Sequence, residues 1–148
     1  MNMNKSEKAK ELFKQGYNCA QAVVGAYAEE LGLDMETAMK LASSFGGGMG
    51  RLREVCGAVT GMFFVAGILH GYSNPTDKKA KDEHYRLIQE LAEEFKAIHS
   101  TYICKDLLQV AGKQSHISEE RTPEYYKTRP CVRFVITACE ILDKYFFK

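Results

Sequence analysis

The chain has no tryptophan and only three prolines, which excludes a Pro-rich linker protein and leaves little material for an aromatic-rich binding platform. It also lacks an excess of either charge, since 20 Lys and Arg stand against 19 Asp and Glu. Without a basic surplus nothing holds a phosphate backbone by counterion release, so no nucleic-acid partner is expected. Period-2 alternation of apolar and polar residues is almost missing, which argues against strands. The opening MNMNKSEKAKELFKQ has neither an apolar h-region nor a small-residue cleavage site. It does not read as a secretory signal, and the expected compartment is the cytosol. What remains, 45% hydrophobic and 26% charged residues over 148 positions, fits a single domain spanning residues 1–148 that buries roughly 70% of its unfolded surface. Disorder and low complexity are excluded.

Helical spacing recurs almost throughout, so the expected fold class is all-α, a bundle of about six or seven helices. Ala9, Leu12 and Phe13 form a stripe that stops at Gly16. Asn18 is placed to cap a second helix carrying Val23, Val24, Tyr27, Ala28 and Leu31, and Gly32 ends it. Asp34 caps a third, with Ala38, Leu41, Ala42 and Phe45 on one face, until the run Gly46, Gly47, Gly48 and Gly50 breaks the pattern and reads as a loop. From Val55 to Tyr72 the only ionisable side chains are His70 and the terminal tyrosine and cysteine groups. Eighteen such residues reach the lower length for a membrane span. No aromatic belts flank the segment, however, and its amphipathic neighbours need a shared core. The expectation is therefore no membrane span but a buried, Gly-rich central helix, with Gly57, Gly61, Gly67 and Gly71 allowing close helix approach.

Asn74 or Thr76 starts the next helix, whose stripe is Tyr85, Ile88, Leu91, Phe95 and Ile98. A short helix from about Ile103 to Val110 follows. His116 to Tyr126, the most polar stretch, reads as a surface loop. Pro130 opens the last helix, with Val132, Val135, Ile136, Cys139, Leu142 and Phe146 facing inward.

On that map the five cysteines are not scattered. Cys19 follows the Asn18 cap, Cys56 opens the central helix, Cys104 lies in the first turn of the short helix, and Cys131 follows Pro130. All four fall at helix starts, where free N–H groups and the positive end of the dipole favour thiolate. Arg51 and Arg53, Lys105, and Arg129 and Arg133 are the nearby cations that could add to this effect. Cys139 lies mid-helix on an apolar stripe and reads as a small hydrophobe. In a reducing compartment, cysteines mark redox or metal chemistry more than structural staples. Four thiolates converging would repel one another, so convergence implies pairing or a metal. No Cys-x-x-Cys pair exists, and any site must be assembled by the fold.

The segment Cys56-Gly57-Ala58-Val59-Thr60-Gly61, with Cys19 upstream and Cys104 and Cys131 downstream, resembles the family named for its C_GCAxxG_C_C pattern and described as redox-active. The resemblance spans most of the chain. It implies Cys19, Cys56, Cys104 and Cys131 as the catalytic set for thiol–disulfide or electron-transfer chemistry, with a redox partner protein or a small-molecule thiol as partner. It implies Gly57, Ala58 and Gly61 as a small-residue turn, Gly57 and Gly61 being placed as cofactor-binding or as packing positions. The same four cysteines as ligands of an iron-sulfur cluster or a thiolate-bound metal ion form the alternative, since soft sulfur ligands select such centres. A third reading is a helical structural or interaction protein whose helices form a homo-oligomer, with incidental cysteines far apart in space. Cys139 has no counterpart in the pattern.

Other motifs carry less. FGGGMGRLRE has neither GxGxxG spacing nor a P-loop lysine, which leaves only an anion or small ligand beside Arg51 and Arg53, or a flexible hinge. His70, His84, His99 and His116 never fall three or four apart, so they form no helical metal pair. No G-x-S-x-G elbow occurs, and no histidine is placed near a cysteine.

Overall fold

The computed structural model describes residues 4–147. Among them are eight helices: α1 (Lys5–Lys14), α2 (Cys19–Tyr27), α3 (Met35–Ala42), α4 (Gly57–His70), α5 (Lys78–His99), α6 (Cys104–Leu108), α7 (Pro123–Thr128) and α8 (Cys131–Phe146). The all-α expectation holds, with α7 added to it. That helix begins inside the stretch read as loop and runs two residues past it, starting where Thr122 Oγ1 accepts the N–H of Tyr125 at 3.1 Å, with Pro123 at a favoured first-turn position. No helix is long and apolar enough to cross a membrane among the described residues.

The capping signals of α2 and α3 are realised as read, although α2 ends at Tyr27 rather than at Leu31 and Leu41 of the expected α3 face is 48% exposed. Asn18 Oδ1 accepts the N–H of Gln21 at 2.9 Å, while Gln21 Oε1 accepts the N–H of Asn18 at 3.0 Å, a complete capping box. Asp34 caps α3 through the N–H of Thr37. The cap of α5 is Asp77 rather than Asn74 or Thr76, which instead bond each other just ahead of it. The inward face of α5 also differs: Leu91 and Phe95 are fully buried and His84 nearly so, whereas Tyr85 and Ile98 are 49% and 61% exposed. Leu91 and Phe95 hold the centre of the expected stripe, while at its ends His84 and His99 face inward in place of Tyr85 and Ile98, Phe95 and His99 packing on Phe134 of α8.

The core joins α1, α2, α4, α5 and α8 through Phe13, Val23, Tyr27, Val59, Met62, Leu91, Val135 and Leu142. The central helix is shorter than the uncharged run. Val55 and Cys56 precede it, and Ile68 and Leu69 in its last turn are 48% and 40% exposed. It packs against α2, α5 and α8. A Cβ on Gly61 would stand 3.0 Å from Val23 Cβ and 3.1 Å from the Ala20 carbonyl oxygen. Gly61 thus serves helix packing and is not among the residues lining the cavity described below.

Asn18 holds α2 to the chain that follows α3, its amide donating to the Ser43 carbonyl oxygen at 3.1 Å in addition to capping. Asn18→Ala should therefore destabilise the protein by about 0.5–2 kcal/mol in chemical denaturation. A loss within experimental error would show that the cap is supplied by something other than Asn18.

Candidate functional site

Each of the four pattern cysteines stands at a helix start: Cys19, Cys104 and Cys131 are the first residues of α2, α6 and α8, and Cys56 is the N-cap of α4. Pro130 is the N-cap of α8, one position ahead of its expected place. Cys56 and Cys104 are brought side by side by a short backbone pairing. Val55 bridges Ile103 in antiparallel sense, the Cys56 N–H donates to the Tyr102 carbonyl at 2.8 Å, and the Cys104 N–H donates to that of Glu54 at 2.6 Å. Cys19 and Cys131 lie beside each other, close enough for each thiol to shift the other's ionisation. All four line one cavity of about 190 Å³, together with Gly57. Cys139 does not; it is fully buried in α8, its carbonyl 3.0 Å from the Tyr27 hydroxyl.

The wall between the two pairs is the glycine run, which is wound into a defined turn rather than a hinge. Gly47, Gly48, Met49, Gly50 and Arg51 have φ between +60° and +71°. A left-handed turn costs about 1–2 kcal/mol per residue with a Cβ, so three glycines confine that cost to Met49 and Arg51. Backbone bonds close the turn, from the N–H of Arg53 to Gly47 (3.2 Å) and from that of Glu54 to Gly48 (2.9 Å). The turn sets Arg51 and Arg53 on the cavity wall.

Four arginines line the cavity: Arg51, Arg53, Arg121 and Arg129. Arg53 Nη1 donates to Cys104 Sγ at 3.6 Å. Arg129 bonds Cys131 and also pairs with Glu119. Arg121 donates to the carbonyls of Phe13 and Tyr17, both at 3.0 Å, and its guanidinium lies 4.5 Å from the Phe13 ring centre, so it fastens the segment before α7 onto α1. Lys105 and Arg133, named as neighbours from sequence, are exposed instead. Glu119, Arg121 and Tyr125 were not legible as site residues because they belong to the stretch without apolar periodicity. The Thr122-Pro123 helix-start signal was the one local sign that this stretch is ordered.

The electrostatics separate the thiols. Cys131 is lowered, because the Cys19 thiol donates to its sulfur and Arg129 and Arg53 lie close enough to offset burial. Cys19 is correspondingly raised by that shared hydrogen bond and by burial. Burial pushes Cys56 up to about 12. Burial also raises Cys104, against the opposing pull of Arg53. A helix start alone thus does not activate a thiol: its contribution of about 0.3–2 kcal/mol is outweighed by desolvation unless a charge partner touches the sulfur.

A thiolate-bound metal ion needs three or four ligands about 2.3 Å from one point. Among the described residues no three Cys, His, Asp or Glu side chains converge in that way, and a guanidinium already occupies the Cys104 sulfur. The residues as arranged form pairs and do not fit a metal ion. No histidine lines the cavity.

A family model described as "Putative redox-active protein (C_GCAxxG_C_C)" matches residues 17–145, a span that contains all five cysteines and every cavity-lining residue except Phe13. No curated protein and no solved structure matches the chain.

Proposed function

The chain belongs to the C_GCAxxG_C_C family, and on that premise we propose that it is a thiol–disulfide oxidoreductase in which Cys131 is the attacking thiolate and Cys19 the resolving thiol. The observation that carries this reading is that Cys19 and Cys131 line one cavity and act on each other's ionisation in opposite senses, Cys131 being lowered with Arg129 beside it and Cys19 raised. Cys131 attacks one sulfur of a substrate disulfide, the S–S bond breaks, and the other half leaves as a thiolate that takes up a proton. Cys19 then loses its proton and attacks Cys131 Sγ, releasing the first half as a thiol and leaving a Cys19–Cys131 disulfide. Two electrons pass from protein to substrate. Two equivalents of a thiol, from a partner protein or a small molecule, restore the dithiol. The convergence of all four cysteines on one cavity speaks against the reading in which they are incidental.

The pH dependence tests this directly. The rate of Cys131 alkylation in reduced protein is expected to rise through about pH 7, where its thiol ionises. Cys56 and Cys139, both pushed up to about 12 by burial, should remain unreactive until far higher pH. Site-resolved mass spectrometry of the alkylated protein separates them. If Cys131 reacted only above the ordinary thiol value of about 8.5, the assignment of the attacking sulfur would fail.

A further inference from the structure

Three arginines meet at one carboxylate. Glu119 pairs with Arg129 and stands 3.7 Å from Arg51 Nη1 and 3.9 Å from Arg53 Nη2. The arginine side chains are 18%, 18% and 6% exposed, whereas that of Glu119 is 42% exposed. The guanidinium groups therefore belong to the cavity wall, and the carboxylate reaches them from its rim, on a segment outside any helix. Arg53 is 5% exposed, yet its Nε has no hydrogen-bond partner. Buried donors are almost always paired, because one left unmade forfeits its hydration. Arg51 Nε also donates to the Ser115 carbonyl and Arg53 Nη1 to Cys104 Sγ, but with five N–H donors on each guanidinium and one shared carboxylate the site is still short of acceptors.

We propose that the cavity takes a compact disulfide bearing a carboxylate, which displaces Glu119 from Arg51, Arg53 and Arg129 and sets the adjoining sulfur against Cys131. This rests on the thiol–disulfide reading and adds the substrate class to it. A volume of about 190 Å³ equals roughly six water volumes and falls below the roughly 300–1,000 Å³ of sites for larger ligands. It admits one half of a small disulfide, a few heavy atoms long, and not a polypeptide segment with its side chains. Paired guanidinium donors match a planar carboxylate in two-point contact. The half carrying the carboxylate becomes joined to Cys131, and the other half leaves as a thiolate on the Glu119 side, where the cavity meets solvent. Glu119 is thus an internal occupant that a substrate carboxylate replaces.

Iodoacetate and iodoacetamide test the recognition apart from redox chemistry, since both alkylate a thiolate by displacing iodide and they differ in carboxylate against amide. At Cys131 the expected result is a preference for iodoacetate of about tenfold or more, with rates that saturate and are slowed by propionate. Arg51→Gln should remove most of that preference. Glu119→Gln should enlarge it by speeding iodoacetate relative to iodoacetamide, which keeps the test decisive if the arginine variant folds poorly. Iodoacetamide reacting as fast as iodoacetate in the unaltered protein, or a ratio unmoved by Glu119→Gln, would overturn the proposal. A second arm compares dithiodiacetate with bis(2-hydroxyethyl) disulfide as oxidants of the reduced protein. Preferential reaction of dithiodiacetate supports the proposal, and equal rates overturn it while sparing the oxidoreductase. If neither disulfide reacts but the iodoacetate preference persists, the oxidoreductase reading fails and the carboxylate site stands.

Discussion

Serine in place of Cys131 is expected to slow reaction with a small disulfide at neutral pH by about a hundredfold or more, because every other thiol on the cavity is pushed up by burial or by its hydrogen bond and so carries little thiolate. Cys19 variants should fail differently. Cys19→Ser keeps a hydroxyl to donate to Cys131, so the first attack persists, but the resolving thiol is gone and the remaining cavity thiols, Cys56 and Cys104, are pushed up by burial, so a Cys131 mixed disulfide should accumulate in mass spectra. Cys19→Ala also removes the donor that contributes most to the lowering of Cys131, so the pH at which Cys131 becomes reactive should rise. Cys139→Ser should leave this chemistry intact and cost about 1–3 kcal/mol of stability, since it puts a hydroxyl at a fully buried position. Rapid disulfide exchange surviving in Cys131→Ser, or lost in Cys139→Ser, would show that the roles had been laid on the wrong sulfurs.

Gly48→Val should be the most damaging single change on the cavity wall. A Cβ there would lie 2.6 Å from Cys104 Cβ and 2.9 Å from both Arg53 Cα and Glu54 N, at φ +67°. The left-handed conformation costs about 1–2 kcal/mol for a residue with a Cβ and overpacking typically about 1–3, so about 2–5 kcal/mol of stability is expected to be lost. The pairing that carries Cys104 to Cys56 would be forced apart, and alkylation of Cys104 should accelerate as it becomes exposed. Gly67→Ala is the control. A Cβ at Gly67 meets nothing within 4 Å and sits inside α4, so it should be neutral or stabilise by up to about 1 kcal/mol. Equal denaturation midpoints for the two variants would mean that the glycine turn is not a structural determinant of the site.

The helix starts were legible because their causes are local. Asn18 with Gln21, and Asp34 with Thr37, satisfy backbone donors three residues away, and Cys19 takes its place from the first of these, whereas the helices of Cys56, Cys104 and Cys131 start without a side-chain cap. Apolar spacing gave the core of α1, α2, α4 and α8 for the same reason. It misplaced Tyr85 and Ile98, where several faces of α5 offered apolar residues and packing against Phe134 chose among them. Tertiary structure alone decided which cysteines pair, since the bridge from Val55 to Ile103 and the contact of Cys19 with Cys131 join segments distant along the chain. It also decided reactivity. Every one of the four thiols has a helix start, but ionisation depends on which sulfur is touched by a donor and a guanidinium and which is only buried, and that is a property of packing. The polar stretch before α7 shows the limit most plainly: Glu119 and Arg121 have the composition of a solvated loop, and only the fold turns them onto the arginine wall and onto Phe13, because long-range charge and stacking contacts leave no periodicity in the sequence that makes them.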